Sequence, residues 1–295
     1  MCLGEWKLVE TIRFYLTGVA MGGADLIPGV SGGTIAFILG VYERLLSAIK
    51  SVNLHFIKTL FKFKFKEAFS LIPWSFLVPL LLGIGTAILG MANLMKYLLE
   101  NERVLLFAFF FGLVIASIFT VGRRINWGLG TIFSLICGAI AAYIIIGLVP
   151  MEMPHTPIYL FFSGAVAIMA MILPGISGSF ILLILGQYKF ILDAVTRYDV
   201  ITILPVALGA VIGLVTFARV LSWLLKNYHG LTVAALVGFM VGSLRKVWPW
   251  KEVEGEIENN ILPTILNQEV FMAIALAVLG FVFLIFIERL ANKKS

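Results

Sequence analysis

The chain has 295 residues, of which 61% are hydrophobic and only 13% charged, and its mean hydropathy is +1.04. Soluble domains carry about 25% charged residues, so this composition excludes a water-facing globular surface. The net charge of +6 need not mean nucleic acid: in so apolar a chain it reflects Lys and Arg gathered on cytoplasmic loops, and no nucleic-acid partner is expected.

In chain order, Glu5, Lys7, Glu10 and Arg13 come first, with no small-residue cleavage pattern behind them, so a cleaved signal is not expected. Two apolar arms follow, Phe14–Ala24 and Thr34–Tyr42, on either side of PGVSGG at 28–33. Each arm is too short to cross a bilayer comfortably, and a Pro-Gly-rich tip between short arms predicts a re-entrant hairpin. From Arg44 to Lys66 six basic residues interleave with Phe56, Phe61, Phe63 and Phe65. That segment suits the interface of an anionic leaflet or a solvated basic loop. Charge-free windows at Ala68–Met95, Val104–Val121, Ile125–Met151 and Val270–Ile287 each meet the roughly 18-residue mark of a spanning helix. Spans are predicted at 68–95, 104–121 and 125–149, then at 200–225, 231–244 and 266–288 after a second tip, PGISGS, at 174–179.

Cys2 and Cys137 are far apart and unlike, so no disulfide is expected, and Cys137 is predicted to pack as a small apolar side chain. His55, His155 and His229 fall near span ends without second ligands at metal spacing. No metal and no cofactor are expected.

The chain repeats itself. ADLIPGVSGGTIAFILGVYERLLSAI (24–49) aligns with AMILPGISGSFILLILGQYKFILDAV (170–195), matching Pro28/Pro174, Gly29/Gly175, Ser31/Ser177, Gly32/Gly178, Gly40/Gly186 and Tyr42/Tyr188. At a slightly different offset, Pro79 meets Pro205, Gly83 meets Gly209, Asn101 meets Asn227, Gly112 meets Gly238 and Ser117 meets Ser243. The predicted fold is an all-α integral membrane protein with repeats at 1–155 and 156–295, each a re-entrant hairpin plus three transmembrane helices. Three crossings per half is odd, so the second half is inverted. With the N-terminus inside, fourteen Lys and Arg fall on the cytoplasmic side and seven outside, which predicts both termini in the cytoplasm. The acidic 252–258 stretch is then an external loop.

At membrane depth, a proline ends the first arm, and glycines permit a sharp reversal with unobstructed amides. Ser31 or Ser177 can cap the second arm, whose first amides and dipole favour an anion. Gly29, Ser31, Gly32 and Gly33, with Gly175, Ser177, Gly178 and Ser179, are therefore the candidate substrate-binding residues. Any one of these glycines can equally be a kink or close-packing point. GVSGG also resembles a serine-protease nucleophile loop, but no His–Asp partner accompanies it, and no enzyme is expected. Two intramembrane charges stand out. Asp25, aligned with Met171, is a candidate proton-coupling or gating group. Arg219, aligned with Asn93, is a candidate substrate contact. Alternatively the two pair and only lock the bundle. Glu43 and Lys189 read as interfacial anchors.

GGADLIPGVSGGTIAFILGVYERLL, its second copy MILPGISGSFILLILGQYKFIL, and GSLRKVWP at 242–249 resemble the bacterial polyprenyl-phosphate transporter family over essentially the whole chain. The resemblance implies a flippase in the bacterial cytoplasmic membrane, with undecaprenyl phosphate or another anionic lipid as substrate and membrane lipids as surroundings. That lipid carrier would be returned to the inner leaflet for cell-wall synthesis, its headgroup crossing in a polar cradle while the prenyl chain stays in lipid and one half rocks against the other. Transport of a small water-soluble anion is the alternative.

Overall fold

In hydrocarbon no water can satisfy a backbone amide, so an apolar run has to bond within itself, and the apolar runs here are helices. The computed structural model describes residues 2–27, 30–148, 153–254 and 257–292. The first half holds α1 (Cys2–Asp25), α2 (Gly32–Ile38), α3 (Tyr42–Ser51), α4 (Leu54–Phe61), α5 (Phe65–Ser70), α6 (Trp74–Asn101), α7 (Arg103–Gly122) and α8 (Leu129–Ile146). The second holds α9 (Pro157–Ile172), α10 (Gly178–Ile184), α11 (Tyr188–Thr196), α12 (Val200–Asn227), α13 (His229–Ser243) and α14 (Gln268–Asn292). An antiparallel hairpin of β1 (Lys251–Glu254) and β2 (Ile257–Asn260) precedes α14, pairing Lys251 with Asn260.

Among the described residues five helices are long and apolar enough to span: α6, α7, α8, α12 and the Gln268–Phe286 part of α14. Many of their large side chains face outward, Leu89 at 87% and Leu129 at 91% exposed, a pattern that only a lipid solvent accommodates. This is a multi-pass membrane protein. Among the expected spans, 231–244 is a helix of only 15 residues, α13. At 1.5 Å per residue it reaches roughly 22 Å, short of the roughly 30 Å hydrocarbon layer. The 68–95 window breaks at Pro73, because proline disfavours helix in the residue before it. The spanning helix starts at Trp74 and runs on to Asn101. The first hairpin arm, expected from Phe14, is the end of a helix that starts at Cys2. Cys137 is exposed on α8 instead of packed inside, and the acidic loop is in part a β-hairpin.

The second arm of each hairpin is shorter than expected. α2 ends at Ile38 and bends by 116° into α3, and α10 bends by 113° into α11. Both corners have the same hydrogen bonds. Val41 N–H donates to Ala36 O (3.0 Å) and Gly40 N–H to Phe37 O (3.3 Å). Gln187 N–H likewise donates to Leu182 O (2.9 Å) and Gly186 N–H to Leu183 O (3.0 Å). These are Schellman C-caps, which need a left-handed residue. Gly40 (φ 71°) and Gly186 (φ 67°) supply it.

Four helix pairs carry the packing: α1 with α6, α9 with α12, α7 with α14 and α8 with α13. Each pair is closed by two reciprocal glycines whose missing side chains would strike the partner's backbone carbonyl: Gly18 and Gly83, Gly164 and Gly209, Gly112 and Gly280, Gly138 and Gly238. Lipid tails leave little hydrophobic drive between helices, so close backbone approach at small residues holds such pairs together. Within every pair the contacts advance in the same direction along both helices. Gly18 meets Leu80 and Gly22 meets Ile84; Leu135 meets Gly238 and Ala139 meets Gly242. Phe161 meets Gly209 and Ala165 meets Gly213. On α7 and α14 the C-terminal ends are joined by Arg124 and Glu288 at 2.7 Å. The main core runs through the elements of both halves, from Ile27 and Leu46 to Phe76, Ala116 and Val237. α4 and α5 lie between the first hairpin and α6. Phe61 and Phe63 there are about 80% exposed beside Lys62 and Lys64, as an interfacial segment requires.

Candidate functional site at the hairpin tips

The two tips meet inside the bundle. Ser31 donates to the Met171 carbonyl (3.2 Å), Tyr42 to the Ile172 carbonyl (2.9 Å), and the Gly175 amide donates to the Thr34 hydroxyl (2.8 Å). Ser31, Thr34 and Tyr42 are each no more than 2% exposed, so these bonds are shielded from water and correspondingly firm. Ser243 on α13 backs the second tip, its hydroxyl 2.5 Å from where a side chain on Gly175 would begin.

The tips differ in how their second arms are capped. Ser31, in extended conformation, accepts from the Gly33 amide at 3.1 Å, as an N-cap serine should. The Gly32 amide donates to the Asp25 carboxylate at 2.6 Å. The last residue of α1 therefore supplies an anion to the first amides of α2, where the helix dipole favours one. In the second tip Met171 stands where Asp25 stands in the first. Ser177 makes no capping bond there, and its hydroxyl instead pairs with that of Ser179 at 2.7 Å. Ser177 is half-buried and Ser179 exposed, whereas Ser31, Gly32 and Gly33 are buried. The Lys246 ammonium lies 4.6 Å from the ring centroid of Phe180, the next residue after Ser179.

The structure thus brings Asp25, Ser31, Gly32, Gly33, Gly175, Ser177, Gly178 and Ser179 to the paired tips, while Pro28 and Gly29 lie outside the described residues. Arg219 is not brought there. It is exposed on α12 beside the buried Ala218, and among the described residues no hydrogen bond or ion pair joins it to Asp25 or either tip. Gly32 and Gly178 also have packing reasons to be glycine. A side chain on Gly32 would begin 2.5 Å from the Asp25 carboxylate, and one on Gly178 2.8 Å from the Ala167 carbonyl. Sequence reasoning missed Thr34 and Lys246. Thr34 aligns with Phe180, so no repeat match marked it. Lys246 sits in GSLRKVWP, which reads as loop charge until the chain folds. Among the described residues no group of three or more His, Cys, Asp or Glu could hold a metal.

Spanning helices joined through two broken hairpins that meet within the bundle define a multi-pass membrane protein of the transporter class. The chain belongs to the undecaprenyl phosphate translocase-like family, whose model matches residues 21–263. It is 44% identical over 247 residues to a polyprenyl-phosphate transporter of Vibrio cholerae serotype O1, covering 83% of this chain and 80% of that one. It is 29% identical over 253 residues to a polyprenyl-phosphate transporter of Staphylococcus aureus, covering 79% and 85%. No solved structure matches the chain.

Proposed function

We propose that this protein is a flippase that returns undecaprenyl phosphate to the inner leaflet of the bacterial cytoplasmic membrane for cell-envelope synthesis. Family membership supports the substrate class, and the relatives' names specify polyprenyl phosphate. The observation that carries the mechanism is the bonded contact of the two tips. A phosphate cannot enter hydrocarbon unaided, since an unpaired buried charge costs at least several kcal/mol. The cradle we infer is at the second tip, where the Ser177 and Ser179 hydroxyls are accessible and Lys246 brings positive charge close by. The first tip already holds a carboxylate, that of Asp25. In this reading Asp25 is the gating or proton-coupled group: once neutralised, it loosens its hold on the Gly32 amide and frees the first tip to accept the phosphate in turn. The prenyl chain stays in lipid throughout.

The helix directions support an inverted repeat. Two spans joined by a link as short as 123–128 have to reverse between them, so α8 runs against α7, while α14, the counterpart of α8, runs with α7. The exchange of partners (α7 with α14, α8 with α13) fits a two-fold axis in the membrane plane.

The test is translocation of undecaprenyl phosphate in proteoliposomes, read by its accessibility to an added phosphate-binding reagent. Ser177→Ala combined with Ser179→Ala removes two hydrogen bonds to a charged group, each about 1.5–3 kcal/mol, so a loss of tenfold or more is expected. A wild-type rate no faster than protein-free vesicles, with uptake of inorganic phosphate instead, would replace this reading by transport of a small water-soluble anion.

A further inference from the structure

The C-terminal ends of α7 and α14 line a half-open cavity of about 440 Å³. Thr120, Arg123 and Arg289 form its polar wall, and Phe119 and Phe281, with ring centroids 6.3 Å apart, form its apolar one. Glu288 also lines it, but its carboxylate is held by Arg124 at 2.7 Å. Two cations are thus left without a counter-charge: among the described residues neither Arg123 nor Arg289 has a hydrogen-bonding or ionic partner. Thr120 adds an independent sign. It is only 7% exposed, yet its hydroxyl has no partner among the described residues, although Ser117 nearby on the same helix bonds back to the Leu113 carbonyl at 2.6 Å. The Thr120 hydroxyl is not sealed within protein and opens to the cavity, and the cavity is within the usual size of a ligand site.

We propose that this cavity is a second binding site, for the headgroup of a lipid phosphomonoester whose hydrocarbon chain lies along Phe119 and Phe281. A monoester carries about −1.5 to −2 charges at neutral pH, which two guanidinium forks and a hydroxyl match. A phospholipid diester offers one charge and a bulky second substituent, and fits less well. The proposal rests on the reading that the chain carries polyprenyl phosphate. With Arg123, Arg124 and Arg289 on the cytoplasmic side, the site is where the headgroup comes to rest after passing the tips.

The test uses the full chain in lipid nanodiscs and a photoactivatable short-chain prenyl monophosphate, with crosslinked residues located by mass spectrometry. Labelling is expected on α7 and α14 around Phe119 and Phe281. Arg123→Gln with Arg289→Gln should lower it at least tenfold while labelling near Ser177 and Ser179 stays within twofold. Thr120→Val, nearly isosteric, should lower it severalfold. Excess phosphatidylglycerol and inorganic phosphate should compete far less well than unlabelled prenyl monophosphate. Labelling of the tips alone, or end labelling indifferent to both arginines, would overturn this site and leave the transport reading standing. Equal competition by phosphatidylglycerol would overturn the monoester assignment, and no labelling anywhere would overturn site and transport reading together.

Discussion

Asp25 and Arg219 are the two charges most out of place in so apolar a chain, and their surroundings differ. Asp25 turns back on its own hairpin and bonds the Gly32 amide. Arg219 faces away from the bundle on α12, where a long side chain can carry its head toward the interface. Replacing Arg219 by Gln therefore strands no buried carboxylate. Arg219→Gln is expected to leave the thermal midpoint of the purified protein within about 2 °C, with Asp25→Asn giving no rescue of any transport defect. Asp25→Ala leaves the Gly32 amide unsatisfied, at about 1–3 kcal/mol, and should lower the midpoint by several degrees. Asp25→Asn keeps an acceptor oxygen and should be milder. An activity restored by adding Asp25→Asn to Arg219→Gln would show that the two residues pair.

At the scale of elements, helices joined by reciprocal glycines have little tolerance at those positions and ample tolerance at glycines outside the contact. On α6 a side chain at Gly83 would collide with Tyr15 O and the Val19 amide, whereas nothing lies within 4 Å of Gly85 or Gly90. Gly83→Leu is expected to cut the yield of monodisperse protein at least fivefold. Gly85→Leu and Gly90→Leu should match wild type and gain slightly in helix propensity. Equal yields from all three would mean that α1 and α6 do not meet as described. Much of this was legible in advance. The matches Gly83/Gly209 and Gly112/Gly238 mark half of the eight close-approach glycines, and Gly40/Gly186 mark the two corners. The third helix of each half escaped, because Gly138 and Gly280 lie in runs of Leu, Ile, Ala and Phe where chance similarity hides a repeat. The bend itself at each corner has no such mark, since a Schellman turn interrupts a helix without interrupting its apolar pattern. The tips were legible from PG-x-SG. Their mutual bonding was not, because it uses main-chain carbonyls of Met171 and Ile172 that carry no sequence signature.

For the whole molecule, the expected boundary near residue 155 crosses the packing. Rocking 1–155 as a rigid body against 156–295 would shear α7 from α14 and α8 from α13. Those four helices pack as one frame across that boundary. Orientation is the matching global prediction. Cysteines at Ser47 and Asn292 should react with an impermeant maleimide only from the cytoplasm, and one at Pro154 only from outside. Finding Ser47 and Pro154 on the same side would break the inversion on which the paired tips depend.

The exchange of third helices also sets a timetable for biogenesis. α7 leaves the ribosome with the Gly112 face shaped for Ala277, but the helix that covers it is made only after α8 to α13. Until α14 arrives, α7 must wait in the bilayer with that face against lipid, and α8 must wait for α13. Closure of these pairs is therefore deferred until α14 is made, as in any chain whose contacts are distant in sequence. A chain halted before Gln268 would leave the Gly112 face without its partner.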